Sequence, residues 1–312
     1  MPTSPKILAL GGAHIDRRGQ VSGIYVPAAS NPGIMREDVG GGVFNALRSV
    51  VKRGVSASLL SVRGGDAAAE TVAAAIARAG IADLSVVFLD RATPSYTALI
   101  DSEGELIVGF ADMGLYDLAF PKQIRRAKVR EAIAEADAIL CDANLPTAAL
   151  ERLVAQAGGR PVFAIAISPA KVVRLAPLLG DLSLLFMNRR EAAALCGADM
   201  SGPDVVEALR RQGLTAGVVT AGGAPVLGFD GSGAFAIDPP APRRVADVTG
   251  AGDALTGATV AALLRGLPLR IALREGVAAA ILAIESAEAV PSFTAASFGQ
   301  ALALVSEARE VA

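Results

Sequence analysis

The sequence predicts an α/β fold: a three-layer α/β/α sandwich around a mostly parallel central sheet, with a small β-lid attached. Two observations predict the sandwich. Short apolar runs of strand length alternate with longer Ala/Leu-rich segments of helical period, the pattern of successive βα units. Several of those periodic segments stop at a glycine, the residue that most readily closes a helix. A third observation predicts the lid, because two stretches break this rhythm.

Taken in order, the strand candidates are KILAL, ASLLSV, LSVVFL, DAILCD, PVFAIAI, SLLFMN and AGVVTAG. Helices are expected between them over 43–53, 67–79, 147–157, 189–195 and 203–211. The first exception to the rhythm is 20–38 (QVSGIYVPAASNPGIMRED), built of small, polar and turn residues. The second is 95–110, which alternates apolar and polar residues around DSEGE as a hairpin does. With their flanks these segments define a lid over about 17–39 and 93–112. Its outer face is expected to meet water or to pair with a second copy of the chain as a homodimer. No internal repeat or long linker divides the chain, so residues 1–312 are read as a single domain.

Composition narrows the function classes. Of 312 residues, 52% are hydrophobic and 19% charged, and the formal net charge is −2. That balance suits a folded domain and offers no broad attraction to nucleic acid or an anionic membrane. Cys141 and Cys196 each lie in an apolar segment, as expected of free thiols in a reducing compartment. The run before Gly11 is too short for a signal peptide, and VAAAILAI is too short to span a bilayer. A cytoplasmic protein is expected. His14 is the sole histidine, which removes His-rich metal sites, and it is read as packing beside a cleft rather than as a catalyst.

The stretch DVTGAGDALTGA, from Asp247 to Ala258, carries the chemistry. Gly250 and Gly252 flank Ala251 ahead of a helix-like run, and the free amides of a helix start point outward with partial positive charge. This makes an anion cradle. Asp253 would sit in the first turn beside the anion, where a carboxylate suits a proton acceptor. Taken alone, the same residues also fit a tight connection and an acid favoured by the helix dipole.

Three more stretches place this one in context. DVTGAGDALTGA resembles the C-terminal signature of the ribokinase-like (PfkB) carbohydrate kinases, and the likeness extends over nearly the whole chain. GGAHID resembles the end of that family's first strand, where an aspartate binds substrate hydroxyls, which implies that role for Asp16. VGGGVFNALRSVVKRG resembles its Gly-Gly and Asn stretch, placing Gly40, Gly41 and Asn45 at the sugar. MNRREAAAL resembles its Asn-x-x-Glu element, which implies Asn188 and Glu191 near the triphosphate and a Mg²⁺ held through water. By the residues alone, Asn188 is equally an N-cap and Glu191 a first-turn acid.

The resemblance implies ATP and Mg²⁺ as cosubstrate and cofactor, and Asp253 as the base for a primary hydroxyl. The amides of Gly250, Ala251, Gly252 and Asp253 would stabilise the transferred phosphoryl group. Asp247 and Thr249 resemble positions that in many relatives help bind a monovalent cation such as K⁺, with plain loop hydrogen bonding as the alternative. Thr220, Gly222 and Gly223 are the nucleotide-loop candidates, and small aliphatics around 278–281, Ala279 among them, the adenine candidates. The chain departs from the family pattern at Pro225, where a later glycine is usual, and at His14, where Asn is common.

SNPG, ADMGLYDL, CDANLP and ISPAKVVRL resemble the pseudouridine kinase branch of the family. That likeness implies a nucleoside substrate, with Asn31 and Tyr96 on the lid side for the base and Lys171 near phosphate. Turn chemistry also accounts for SNPG. Three rival readings fit less well. A nicotinamide oxidoreductase needs G-x-G-x-x-G after the first strand, which LALGGAHID lacks. A silent sugar sensor has no use for the base at Asp253, and a structural module needs no polar cleft.

Overall fold

A computed structural model describes residues 4–199, 202–286 and 294–311. Strand β1 (Lys6–Leu10) crosses the centre of the molecule and is buried at four of its five positions, as a strand covered on both faces must be. The chain then forms two lid strands, β2 (His14–Val21) and β3 (Gly33–Gly40), before α1 (Gly42–Lys52) and β4 (Ser56–Leu60) return it to the core. Next come β5 (Val62–Gly64), α2 (Ala67–Arg78), β6 (Ala82–Asp83) and β7 (Val86–Phe88), and then the lid strands β8 (Ser95–Ile100) and β9 (Leu106–Asp112).

Helices α3 (Gly114–Gln123) and α4 (Ala127–Glu135) lead into β10 (Ala138–Asp142). The alternation continues through α5 (Thr147–Gln156), β11 (Val162–Ile165), α6 (Pro169–Val172), β12 (Leu184–Asn188), α7 (Arg189–Cys196), α8 (Pro203–Arg211) and β13 (Gly217–Thr220). A hairpin of β14 (Val226–Asp230) and β15 (Gly233–Ile237) precedes α9 (Ala251–Leu264), α10 (Leu269–Ile284), α11 (Ala295–Leu304) and the edge strand β16 (Arg309–Glu310).

The main sheet runs β16-β15-β14-β13-β12-β11-β10-β1-β4-β6. It is parallel from β6 to β13 and antiparallel beyond. Alternating side chains separate two apolar layers: Ile7 and Ala9 join Phe44, Leu47 and Leu273 on one face, while Leu8 and Leu10 join Tyr116, Phe120 and Leu153 on the other. Strand order reverses between β1 and β10, so a crevice opens outside their carboxyl ends, where open α/β sheets bind ligands.

Two local readings change and one hairpin is added. LSVVFL is no main-sheet strand: Ala82–Asp83 pairs with β4 instead, and Val86–Phe88 pairs with β5 in a separate two-stranded sheet. The antiparallel edge of β14 and β15 turns at Asp230, whose carboxylate accepts the N–H and hydroxyl of Ser232, an Asx turn that marks the hairpin. The GGAHID stretch is not the end of the first strand, since the chain bends at Gly11 and Gly12 and places His14 and Asp16 on the lid strand β2.

The lid is a four-stranded sheet, β3-β2-β8-β9, with β2 and β8 parallel. Cys141 and Cys196 are free thiols. Among the described residues no helix is long and apolar enough to cross a membrane.

Candidate active site

The anion cradle forms because Gly250, at φ 78°, takes the left-handed conformation that ends the loop and starts α9. Ala254 N–H is the first to bond back, to Gly250 O at 2.8 Å, and Ala251 N–H only reaches Val248 O at 3.4 Å. The first-turn amides of Gly252 and Asp253 have no acceptor within the helix. Helix α9 lies against α1 so closely that a Cβ at Gly257 would fall 2.1 Å from Ala46 O. That approach brings Asn45 to Asp253, its Nδ2 donating to Oδ2 at 3.0 Å.

Burial pushes the Asp253 carboxyl up to about 7, against the pull of the Asn45 hydrogen bond and with help from the charges of Asp142, Asp16 and Glu191. Such a group exchanges a proton near neutral pH. Asn45 Oδ1 is buried without a hydrogen-bond partner among the described residues. It is an acceptor left for a bound donor such as a hydroxyl.

Opposite the cradle, Asp16 faces the cleft from β2, with Tyr96 beside it in register on β8. A Cβ at Gly40 would fall 1.8 Å from Asp16 Oδ2, so Gly40 makes room for that carboxylate, while Gly41 and Gly42 line the cleft at the start of α1. His14 holds Asp16 in place. Its Nε2 lies 3.2 Å from Asp16 Oδ1 and its Nδ1 3.1 Å from the Tyr116 hydroxyl. A carboxylate only accepts, so the Nε2 side carries the proton. Asn31 is not at the cleft. Its amide accepts from Val26 N–H and donates to Val26 O and Ala29 O, closing the loop between β2 and β3.

Lys171 lines the cleft, where its ammonium donates to Asn144 Oδ1. Burial lowers its pKa, while the charge of the fully buried Asp142 opposes that. Asp142 itself is pushed up by burial although it accepts the N–H groups of Gly12 and Asn144 at 2.9 Å.

Farther along the cleft, Asn188 and Glu191 form a capping box on α7, Asn188 Oδ1 accepting Glu191 N–H at 3.0 Å and the Glu191 carboxylate accepting Asn188 N–H at 2.7 Å. The same pair lines the cleft. Burial raises the Glu191 pKa.

Two cavities meet here. The first, about 520 Å³, contains Asp16, Asn45, Asn188, Glu191 and Asp253. The second, about 560 Å³, is mostly apolar and contains Gly222, Gly223, Val277, Ala280 and Ile281. Thr220, Gly252 and Leu255 line both, so they form one cleft with a polar and an apolar end. Ala279 is a correction: it is buried in the core, and α10 turns Val277, Ala280, Ile281 and Ile284 to the cavity at helical spacing. In the loop after β13, Ala224 N–H closes a turn on Ala221 O at 3.2 Å with Gly222 at φ 62°, directly before Pro225.

A family model described as pfkB family carbohydrate kinase matches residues 4–296. The chain belongs to the pfkB family of carbohydrate kinases. The chain is therefore a phosphotransferase acting on the hydroxyl of a sugar or nucleoside. It is 29% identical over 273 residues to the pseudouridine kinase of Escherichia coli (strain K12), covering 86% of this chain and 87% of that protein. A solved carbohydrate kinase from Agrobacterium tumefaciens is 46% identical, with a TM-score of 0.86 over 97% of this chain and 99% of that one. The Arabidopsis thaliana ribokinase complexed with ribose and ATP is 20% identical, with a TM-score of 0.85 over 96% of this chain and 99% of that one, and supports the fold.

In this pfkB kinase the structure adds partners to Lys171 and His14 that the sequence leaves in the background. Asn144, in the loop after β10, meets Lys171 of α6, and His14 meets Tyr116 from elements 102 positions apart. Ile167, a branched residue at φ 70°, lines the cleft just after β11, a backbone outlier of the kind that clusters at functional sites. Of these residues only His14 within GGAHID and Lys171 within ISPAKVVRL are singled out in the sequence.

Proposed function

We propose that this pfkB kinase transfers the γ-phosphoryl group of ATP to the primary hydroxyl of a ribonucleoside, with pseudouridine as the acceptor. The observation that carries the transfer is the placement of Asp253: a half-buried carboxylate, pushed up to about 7, in the first turn of a helix N-terminus that lines the cleft. Asp16 and the free Oδ1 of Asn45 would accept hydrogen bonds from the sugar hydroxyls. Asp253 would then take the proton of the primary hydroxyl as its oxygen attacks the γ-phosphorus. The bond to the bridging oxygen of ADP breaks, and the amides of Gly252 and Asp253 hold the charge of the transferred group.

Glu191 fits a Mg²⁺ held through water: it is a buried carboxylate on the cleft, and among the described residues no cluster of three acids, histidines or cysteines forms a closed metal cage. When bound with the nucleotide, the ion would neutralise phosphate charge. The apolar end, around Val277, Ala280 and Ile281, suits adenine.

The acceptor assignment draws on the similarity to a pseudouridine kinase and on Tyr96, which stands beside Asp16 where a base would project. Lys171, at the same cleft, would meet phosphate, and Asn31 would act by shaping the lid loop. A panel of acceptors with ATP and Mg²⁺ tests the assignment. Pseudouridine is expected to exceed ribose in kcat/KM by about two orders of magnitude or more, because a site built for polar base edges leaves them unpaired with a free sugar. Equal or better use of ribose or fructose would return the acceptor to a simple sugar.

A further inference from the structure

Asp247 and Thr249 stand just ahead of the cradle, and Arg18 already engages both. Arg18 lies on β2 two positions beyond Asp16, and therefore on the same, cleft-facing side of the lid. Its guanidinium donates from Nη1 to Asp247 Oδ2 at 2.9 Å and from Nη2 to Thr249 Oγ1 at 2.5 Å. Thr249 N–H donates to the remaining oxygen, Asp247 Oδ1, at 2.8 Å. Burial works against ionising Asp247, yet the hydrogen bonds from Thr249 and Arg18 and the charge of Arg18 hold it below the usual carboxylate range. Both carboxylate oxygens and the threonine hydroxyl thus have donors.

This arrangement does not fit K⁺. A monovalent cation on Asp247 Oδ2 or Thr249 Oγ1 would have to displace the guanidinium, and one on Oδ1 would sit beside a fixed charge of its own sign. The guanidinium carries the same single charge and directs its donors at fixed angles. Unlike a free ion, it is also covalently part of the lid.

We propose that Arg18 is a built-in replacement for a monovalent cation, and that it couples the lid to the anion cradle as a positioning residue. Strand β2 carries the acceptor-binding Asp16, and Thr249 directly precedes Gly250, the cap of α9. The Arg18 bridge ties these two ends of the cleft together across 229 positions of sequence. Closing the lid over an acceptor would therefore also fix the loop that orients the cradle amides. The coupling to turnover rests on the kinase reading above, whereas the replacement of the cation does not.

The test compares the full-length parent with Arg18→Ala in KCl and in choline chloride of equal concentration, reading the thermal midpoint of the ligand-free protein and acceptor-dependent ADP release. The parent is expected to show the same midpoint in both salts and rates within about twofold of each other, a difference of under half a kcal/mol. Arg18→Ala is expected to lose about tenfold or more in rate in choline. KCl should raise its midpoint and restore part of that rate. Activation of the parent by K⁺ of about fivefold or more, or an Arg18→Ala protein whose midpoint does not respond to K⁺, overturns the proposal. If Arg18→Ala does not fold, Arg18→Gln, which keeps most of the bulk without the charge, carries the same comparisons. The thermal measurement needs no turnover, so a failed kinase assay and a failed cation replacement are told apart.

Discussion

A carboxylate that loses water on folding and feels the charges of three other acids resists ionising, and Asp253 is in that position. Its pKa rises from 3.8 to about 7, so the folded state binds its proton more tightly than the unfolded chain does. Stability therefore falls as pH rises between those two values and is flat outside them. Asp253→Asn removes the titration. The ligand-free variant should gain on the parent through that window, to a few kcal/mol at about 1.4 kcal/mol per pKa unit. Urea unfolding at pH 5 and pH 8 measures it, and an unchanged difference between the two pH values would refute the burial account. Turnover should show the opposite limb, rising with pH to near 7 as the base is freed.

His14 supports a second expectation at this scale. Because it links Asp16 to Tyr116, His14→Ala should raise KM for the acceptor about tenfold while KM for the nucleotide stays put. His14→Asn, which keeps a donor, should recover most of the loss. A parallel rise in both constants would make His14 merely structural. The residues of the cradle are legible in the sequence because glycine spacing and a first-turn acid follow local rules. The His14–Asp16, Asn144–Lys171 and Arg18–Asp247 contacts are not. Each joins side chains brought together only by the strand order.

Among the elements, the lid has the most left to do. The face opposite Asp16 carries Met35, Leu99, Val108 and Phe110, in register across the strands, with Gly19 between Met35 and Leu99. Phe110 is 66% exposed and Met35 55%, a grouping that a second copy of the same sheet would cover. Sedimentation at low micromolar concentration should find a dimer, and Phe110→Asp with Val108→Asp should shift it to monomer without unfolding it. A parent that sediments as a strict monomer would end the dimer proposal and leave the cleft as it stands. Five helices fall within a residue or two of their sequence expectation, because caps and glycine stops are local signals. LSVVFL failed since an apolar run reports burial and not which sheet receives it. The β14–β15 hairpin was missed although DGSG marks its turn.

At the scale of the molecule, the reversal of strand order between β1 and β10 gathers these parts at one crevice. Lid, cradle and apolar cavity come from stretches far apart in sequence, and they meet because parallel strands all end on the same side of the sheet. The layered fold was legible from alternation alone, whereas the acceptor is set by a few side chains that no periodicity reports. The claim that this crevice performs phosphoryl transfer with Asp253 as base is tested most directly by acceptor-dependent release of ADP from ATP, run with the parent and Asp253→Asn side by side on pseudouridine and the product identified by mass and phosphorus NMR. The account predicts a 5′-monophosphate from the parent and a rate lower by about two to four orders of magnitude from the variant. Turnover by Asp253→Asn at the parent rate would contradict it.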